Sequence, residues 1–213
     1  MLTMDAPALS RREMRRRDRR DAILAVAHRS FLENGYAATT MSSIAATLGG
    51  SKGTLWRYFP SKEALFAAVL EQATKAYHDD LAHLLEPGNE LASTLRSFTS
   101  GFLKRVLTAD SLAMFRLVVA EAARFPEMGA IFYELAPKYA RRLLSQFLEA
   151  AMKDGQLRKA DPEVAARTLA MLAVSGCHQQ VLLGQIETAT PEQIEADVAF
   201  AVDLFLRAYA PDH

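Results

Sequence analysis

Gly49, Gly50, Ser51, Lys52 and Gly53 spell a literal G-x-S-x-G, the spacing that in serine hydrolases lifts a nucleophilic serine onto a strained strand-to-helix turn. The chemistry would be hydrolysis through the Ser51 hydroxyl. That turn needs a strand ahead of the serine. Residues 44–48 carry apolar side chains at helical spacing instead, and no strand–helix alternation surrounds them from which a sheet could be built. Ser51 therefore reads as a helix cap. The other reactive side chains combine no better. His78 and His83 are five apart, so unlike ligands four apart they do not share a helix face, and they read as surface residues. Cys177 and His178 are neighbours that point about 100° apart on a helix, which suits a packed cysteine beside a polar position better than a thiolate–imidazole pair. No Walker-type or dinucleotide glycine motif is present. The chain is expected not to be an enzyme, with no catalytic residue, metal or cofactor.

Binding chemistry is better represented. Residues 52–58 read Lys-Gly-Thr-Leu-Trp-Arg-Tyr. Lys52 or Arg57 could donate to guanine, Thr54 could touch a thymine methyl, and Tyr58 could donate to phosphate, while Gly53 removes a side chain where backbone must approach a groove. Thr40 and Ser42 stand at the start of a preceding helix, where free backbone amides favour an anion, and Lys62 stands at the start of a following one.

These groups need a rigid mount, and helical periodicity supplies it. A first helix is predicted over about 18–34, with Ile23, Leu24, Ala27 and Phe31 in one stripe and Gly35 as its stop. A second follows from Thr40 as cap, with Ile44, Ala45 and Leu48 inward and Gly49 with Gly50 ending it. The third runs from Lys52 to about Phe59, with Leu55 and Phe59 facing the first two. Pro60 breaks the chain, and a longer helix starts at Ser61. Two short helices joined by a glycine-bearing turn and braced by a third form a helix-turn-helix, whose second short helix enters the DNA major groove. Beyond Pro87, helices are predicted at about 90–107, 111–124, 127–135, 137–153, 162–183 and 191–209. Asp161-Pro162 and the capping box Thr190-Pro191-Glu192-Gln193 mark the last two starts. The fold expected is all-α: a basic flexible tail over 1–17, a three-helix DNA-binding domain over 18–62, and a helical bundle for ligand binding and dimerisation over 63–213.

Composition agrees. The 213 residues carry 25 basic and 25 acidic side chains, yet residues 1–62 hold eleven Lys or Arg against five Asp or Glu. A basic first quarter before an acidic remainder suits a small module that faces a polyanion. A single cysteine forms no internal disulfide, which points to a reducing, cytoplasmic setting, and no apolar run is long enough to span a bilayer.

The stretch 39–65, TTMSSIAATLGGSKGTLWRYFPSKEAL, resembles the DNA-binding region of the TetR family of one-component regulators. The likeness rests on Thr40, Ile44-Ala45, Gly49, Ser51, Gly53-Thr54-Leu55, Tyr58-Phe59 and Ser61-Lys62-Glu63. It implies an all-helical homodimer that represses nearby genes until a small molecule releases it. By motif position it implies phosphate contacts at Thr40, Trp56, Tyr58 and Lys62, and base contacts at Ser42, Lys52, Gly53, Thr54 and Arg57. Trp56 replaces the family's usual tyrosine and so lacks its hydroxyl, and Gly50 replaces the usual valine and so removes an apolar anchor. Residues 114–184, with MFRLVVAEAARFPEMG, resemble the carboxy-terminal domain of AefR-like members.

For the bundle, an effector pocket is expected between the helix starting near Ser111 and the segments 139–147 and 172–179. Its walls would be Phe115, Val119, Tyr139, Phe147 and Leu172, with Glu121, His178 and Gln179 as polar anchors for a small hydrophobic effector. Pairing with Arg124 or exposure to solvent is the favoured reading of Glu121 over a place in the pocket. The aromatics Phe102, Phe115, Phe132, Tyr133, Tyr139 and Phe147 could line such a cavity or fill the core. The helices at 162–183 and 191–209 are apolar over too much of their surface to be covered on one side only. They are expected to pair with a second copy in a four-helix interface. Double-stranded DNA carrying a palindromic operator is the expected partner, with no membrane. The alternatives are a ligand-independent architectural DNA binder and the hydrolase already set aside.

Overall fold

A computed structural model of the chain describes residues 10–49, 52–85 and 90–211, with Lys52 as backbone only. Every regular element among them is an α-helix, and the chain divides into two compact units after Gln72.

The first unit holds α1 (Arg11–Ala38), α2 (Met41–Thr47), α3 (Lys52–Tyr58) and the opening turns of α4 (Lys62–Leu84). Helix α1 begins well before Asp18, so residues 11–17 are helical rather than tail. The reason is a capping box: the Ser10 hydroxyl accepts from the Glu13 amide at 3.2 Å, and the Glu13 carboxylate accepts from the Ser10 amide at 2.8 Å. The added turns are arginine-rich and bury nothing, so apolar periodicity does not register them. Near its far end Gly35, with φ 81° and ψ 166°, breaks the helix where a stop was expected, because this positive-φ backbone suits a residue without Cβ, and a last helical stretch runs on to Ala38. Thr39 then ties the exit down, its buried hydroxyl placed between the carbonyls of Ser30 at 2.9 Å and Gly35 at 2.8 Å. Thr40 caps α2, accepting from the Ser43 amide at 3.0 Å. The cap expected at Ser51 and the turn position Gly50 lie outside the described residues.

This unit runs past the expected boundary at Lys62 because α4 supplies part of its core. Leu65, Phe66, Val69 and Leu70 are buried. Phe66 stands edge-on to both Phe31 and Tyr36, with ring centroids 5.3 Å apart in each pair.

The second unit holds the rest of α4 with α5 (Leu91–Val106), α6 (Ala109–Glu121), α7 (Pro126–Leu135), α8 (Pro137–Lys153), α9 (Pro162–Ala173), α10 (Cys177–Leu182) and α11 (Pro191–Ala208). Its core joins Leu95 and Phe98 of α5, Leu144 and Leu148 of α8, Leu169 of α9 and Phe205 of α11. The starts read from the sequence are in place. Asp161 accepts from the amides of Glu163 at 2.8 Å and Val164 at 3.1 Å, and Thr190 with Gln193 closes a capping box.

The helix expected over 162–183 is instead two, parted at Gly176. The Asp197 carboxylate of α11 comes so close that a Cβ on residue 176 would overlap it, and it accepts from the Cys177 amide at 2.7 Å. At the other end of α10, Arg116 of α6 donates to the carbonyls of Val181 at 2.7 Å and Leu182 at 3.0 Å. A carboxylate at the start and a guanidinium at the end complement the α10 dipole. Two neighbouring helices thus pin a helix too short to be stable alone. No helix among the described residues is long and apolar enough to cross a membrane.

Candidate nucleic-acid interface and a cavity in the helical bundle

Helix α3 has two sides of opposite character. Leu55 and Phe59 are 2% and 4% exposed, which anchors the helix as their spacing required, while Gly53, Trp56 and Arg57 face solvent. Trp56 is 49% exposed, an unusual position for so large an apolar side chain. Thr54 and Tyr58 are half-buried rather than fully outward. The Lys52 side chain lies outside what is described.

The neighbouring elements add polar groups. Thr40 and Ser42 are exposed at the start of α2, although the Thr40 hydroxyl already serves as the α2 cap. Lys62, half-buried, donates its ammonium to the Tyr36 carbonyl and lies over the Tyr36 ring. The arginine-rich end of α1 meets the same region. Arg19 donates to the Leu48 carbonyl at 3.4 Å, at the end of α2, and the Arg20 guanidinium lies 5.5 Å from the centroid of the Phe59 ring. Arg11, Arg12, Arg15, Arg16 and Arg17, on the turns before them, are exposed. A short helix with a polar, open face beside a row of arginines can contact base edges and phosphates at once. The Ser10–Glu13 box was the signal that these arginines are held on a helix.

In the second unit, a cavity of about 220 Å³ lies between α5, the end of α7, the start of α8 and α9. Phe98, Phe102, Ala140 and Leu144 form apolar walls, and Tyr133, Arg141 and Met171 contribute to the lining. None of the pocket residues expected from the sequence lines it. Val119 is 65% exposed, and Phe115 lies at the surface edge-on to Phe132. Tyr139 stacks on His78 with ring centroids 3.6 Å apart, which leaves His78 half-buried rather than open at the surface. Phe147 and Leu172 pack against the core. Gln179 is exposed and Glu121 half-buried. His178 is half-buried, and burial holds its imidazole below its ordinary pKa. Cys177 is a packed thiol, pushed up to about 12 by burial and by the adjacent Asp197. Phe102 and Tyr133 were legible as possible lining. Arg141 was not, because a lone arginine on an amphipathic helix carries no sequence mark of the side it takes.

Comparison with known proteins agrees with both units. Residues 23–69 match the family described as bacterial regulatory proteins, tetR family, and residues 93–211 match the AefR-like transcriptional repressor C-terminal domain. The solved structure of the flavonoid-responsive regulator FrrA is 34% identical, covers 92% of this chain and 99% of its own, and superposes with a TM-score of 0.78. A TetR family transcriptional regulator from Pseudomonas syringae pv. tomato str. DC3000 is 28% identical, over 90% of this chain and 96% of its own, with a TM-score of 0.73. The HTH-type transcriptional regulator YhgD of Bacillus subtilis is 26% identical over 162 residues, 74% of this chain and 82% of its own.

Proposed function

Since this chain belongs to the TetR family of bacterial transcriptional regulators, we propose that it is a homodimeric repressor that binds a palindromic operator and is released from it by a small molecule. The observation that carries the DNA-binding part is α3, whose Leu55 and Phe59 are buried while Gly53, Trp56 and Arg57 are open. In this reading Lys52, Gly53, Thr54 and Arg57, with Ser42, read bases, and Thr40, Trp56, Tyr58 and Lys62 hold phosphates. The exposed arginines of α1 add sequence-independent attraction. Such a protein works beside the chromosome, in the cytoplasm.

Exposed apolar side chains support dimerisation. Val164 and Met171 are 40% and 58% exposed and lie seven residues apart on α9, and Phe200 and Leu204 are 56% and 42% exposed and lie four apart on α11. Each spacing keeps its pair on one helix face. An apolar face of this kind is stable when a second copy covers it. The cavity in the bundle supports effector binding, and the flavonoid response in FrrA's name supports an aromatic effector.

Selection of bound duplexes from a random pool, followed by footprinting, tests the reading. The enriched sequence is expected to be an inverted repeat with half-sites about one helical turn, or a multiple of it, apart. Salt-sensitive binding with no enriched sequence would reject the operator reading in favour of an architectural role.

A further inference from the structure

The cavity in the bundle is nearly all apolar, and one cation, Arg141, stands at its rim beside the exposed Tyr133. Phe98, Ala140 and Leu144 are almost fully buried, whereas Tyr133 and Met171 are 48% and 58% exposed, so the space opens outward between these two. Arg141 sits near that opening, on the second turn of α8. Its Nε donates to the Pro137 carbonyl at 3.2 Å, and its guanidinium carbon lies 5.0 Å from the centroid of the Tyr133 ring. One bond and one ring contact hold the guanidinium in place. A guanidinium has five N–H donors, and among the described residues Arg141 forms no ion pair with a carboxylate. Its two terminal nitrogens stay available at the edge of an apolar hollow.

Size and charge together select a ligand. A cavity of about 150 Å³ lined by apolar side chains admits benzene, and this one, at about 220 Å³, has room for a substituted ring or a fused pair. A neutral apolar guest would fill the hollow and leave the guanidinium at its rim without a partner. An ammonium on the guest would be repelled. A carboxylate on the guest would instead form the paired N–H···O bonds that suit a guanidinium, while its ring packs against Phe98 and Phe102.

We propose that this cavity is the effector subsite for a one- or two-ring aromatic carboxylate, with Arg141 as the residue that recognises the acid. The proposal rests on the small-molecule reading above and gives that reading a chemical class and an anchor. Met171 also belongs to the face proposed to pair, so dimer formation would narrow the opening and favour a compact guest.

Calorimetric titration of the full-length protein with 2-naphthoate, 2-naphthamide and 2-naphthylmethylamine near neutral pH tests it. Naphthoate is expected to bind at least about tenfold more tightly than the amide, the worth of a charge-assisted contact, and the amine not to bind. Arg141→Met should abolish that preference by weakening the acid alone, and Arg141→Lys should restore part of it. Ala170→Phe, which fills the space, should remove binding of both acid and amide. Equal affinity for acid and amide in the unaltered protein, indifference to Arg141→Met, undiminished binding to a folded Ala170→Phe, or no binding of any of the three would each overturn the proposal. Retention of an enriched duplex is measured in parallel. Release by neutral compounds with no preference for acids keeps the effector reading and overturns the Arg141 assignment. Arg141-dependent binding without release upholds the subsite and removes the effector reading.

Discussion

The ammonium of Lys62 donates to the backbone carbonyl of Tyr36 and lies 4.1 Å from the centroid of the Tyr36 ring. The first residue of α4 is thereby fastened to the chain just past the Gly35 break in α1. Lys62 thus has a structural task beside the phosphate contact proposed for it, and Lys62→Met should reveal both. Folding stability is expected to fall by about 1–2 kcal/mol as the charge-assisted bond and the ring contact disappear. The slope of log affinity against log salt should fall by about one per half-site. Urea unfolding checks the first effect, and DNA titration at several salt concentrations checks the second.

Substitutions on α3 should separate base readers from phosphate holders. Arg57→Ala and Thr54→Ala are expected to cost on the order of 1–3 kcal/mol and relax preference at particular base pairs. Tyr58→Phe should weaken all duplexes alike. Binding to a base-substituted operator series distinguishes them, and an unchanged base preference in both alanine variants would remove α3 as the reading helix.

Gly176 and Asp197 are coupled through one close approach. Gly176→Ala forces a methyl into the space of the Asp197 carboxylate and should cost about 1–3 kcal/mol, as overpacking does. Asp197→Ala removes the 2.7 Å bond to the Cys177 amide and should cost about 1.5–3 kcal/mol. Once the carboxylate is gone the added methyl has room, so the double variant should lose less than the two singles combined. Chemical unfolding of the four proteins measures the coupling, and strict additivity would refute it.

Acid should destabilise the fold in a window set by two histidines. Burial holds His78 and His178 below the ordinary 6.5, so each stays neutral in the folded chain where the unfolded chain takes up a proton. Stability is therefore full above about 6.5 and falls as pH drops through 6.5 toward the lower folded values. Glu13, Glu63 and Glu192 are held below their ordinary 4.5 by hydrogen bonds, so their contribution is lost only below that value. Stability measured between pH ~6.5 and ~4.5 thus reports the histidines. His78→Phe, which keeps a ring against Tyr139, should flatten the profile there.

The exposed pairs on α9 and α11 predict where association can be broken. Leu204→Glu and Met171→Glu place charges on a face proposed to be covered. Each is expected to shift sedimentation from dimer toward monomer at micromolar concentration. A protein already monomeric without substitution would remove the interface.

The sequence by itself determined every element whose boundary is local chemistry. Gly35, Thr40, Pro60, Asp161-Pro162 and Thr190-Gln193 act on backbone within one turn of themselves, so their caps and stops stand where they were read. The Ser10–Glu13 box is local chemistry of the same kind, but it went unread, and it sets the true start of α1. The buried stripe of α3 was equally legible, because Leu55 and Phe59 repeat at the helical period. Tertiary structure decided what depends on residues far apart in the chain. The break at Gly176 exists because Asp197 of α11 arrives there. His78 is half-buried because Tyr139 of α8 stacks on it. The cavity lies by Arg141 rather than by Phe115 and Val119. Periodicity tells which side of a helix is apolar, but whether that side meets another helix, a hollow or solvent depends on how helices pack, and packing is set by residues that no local window contains.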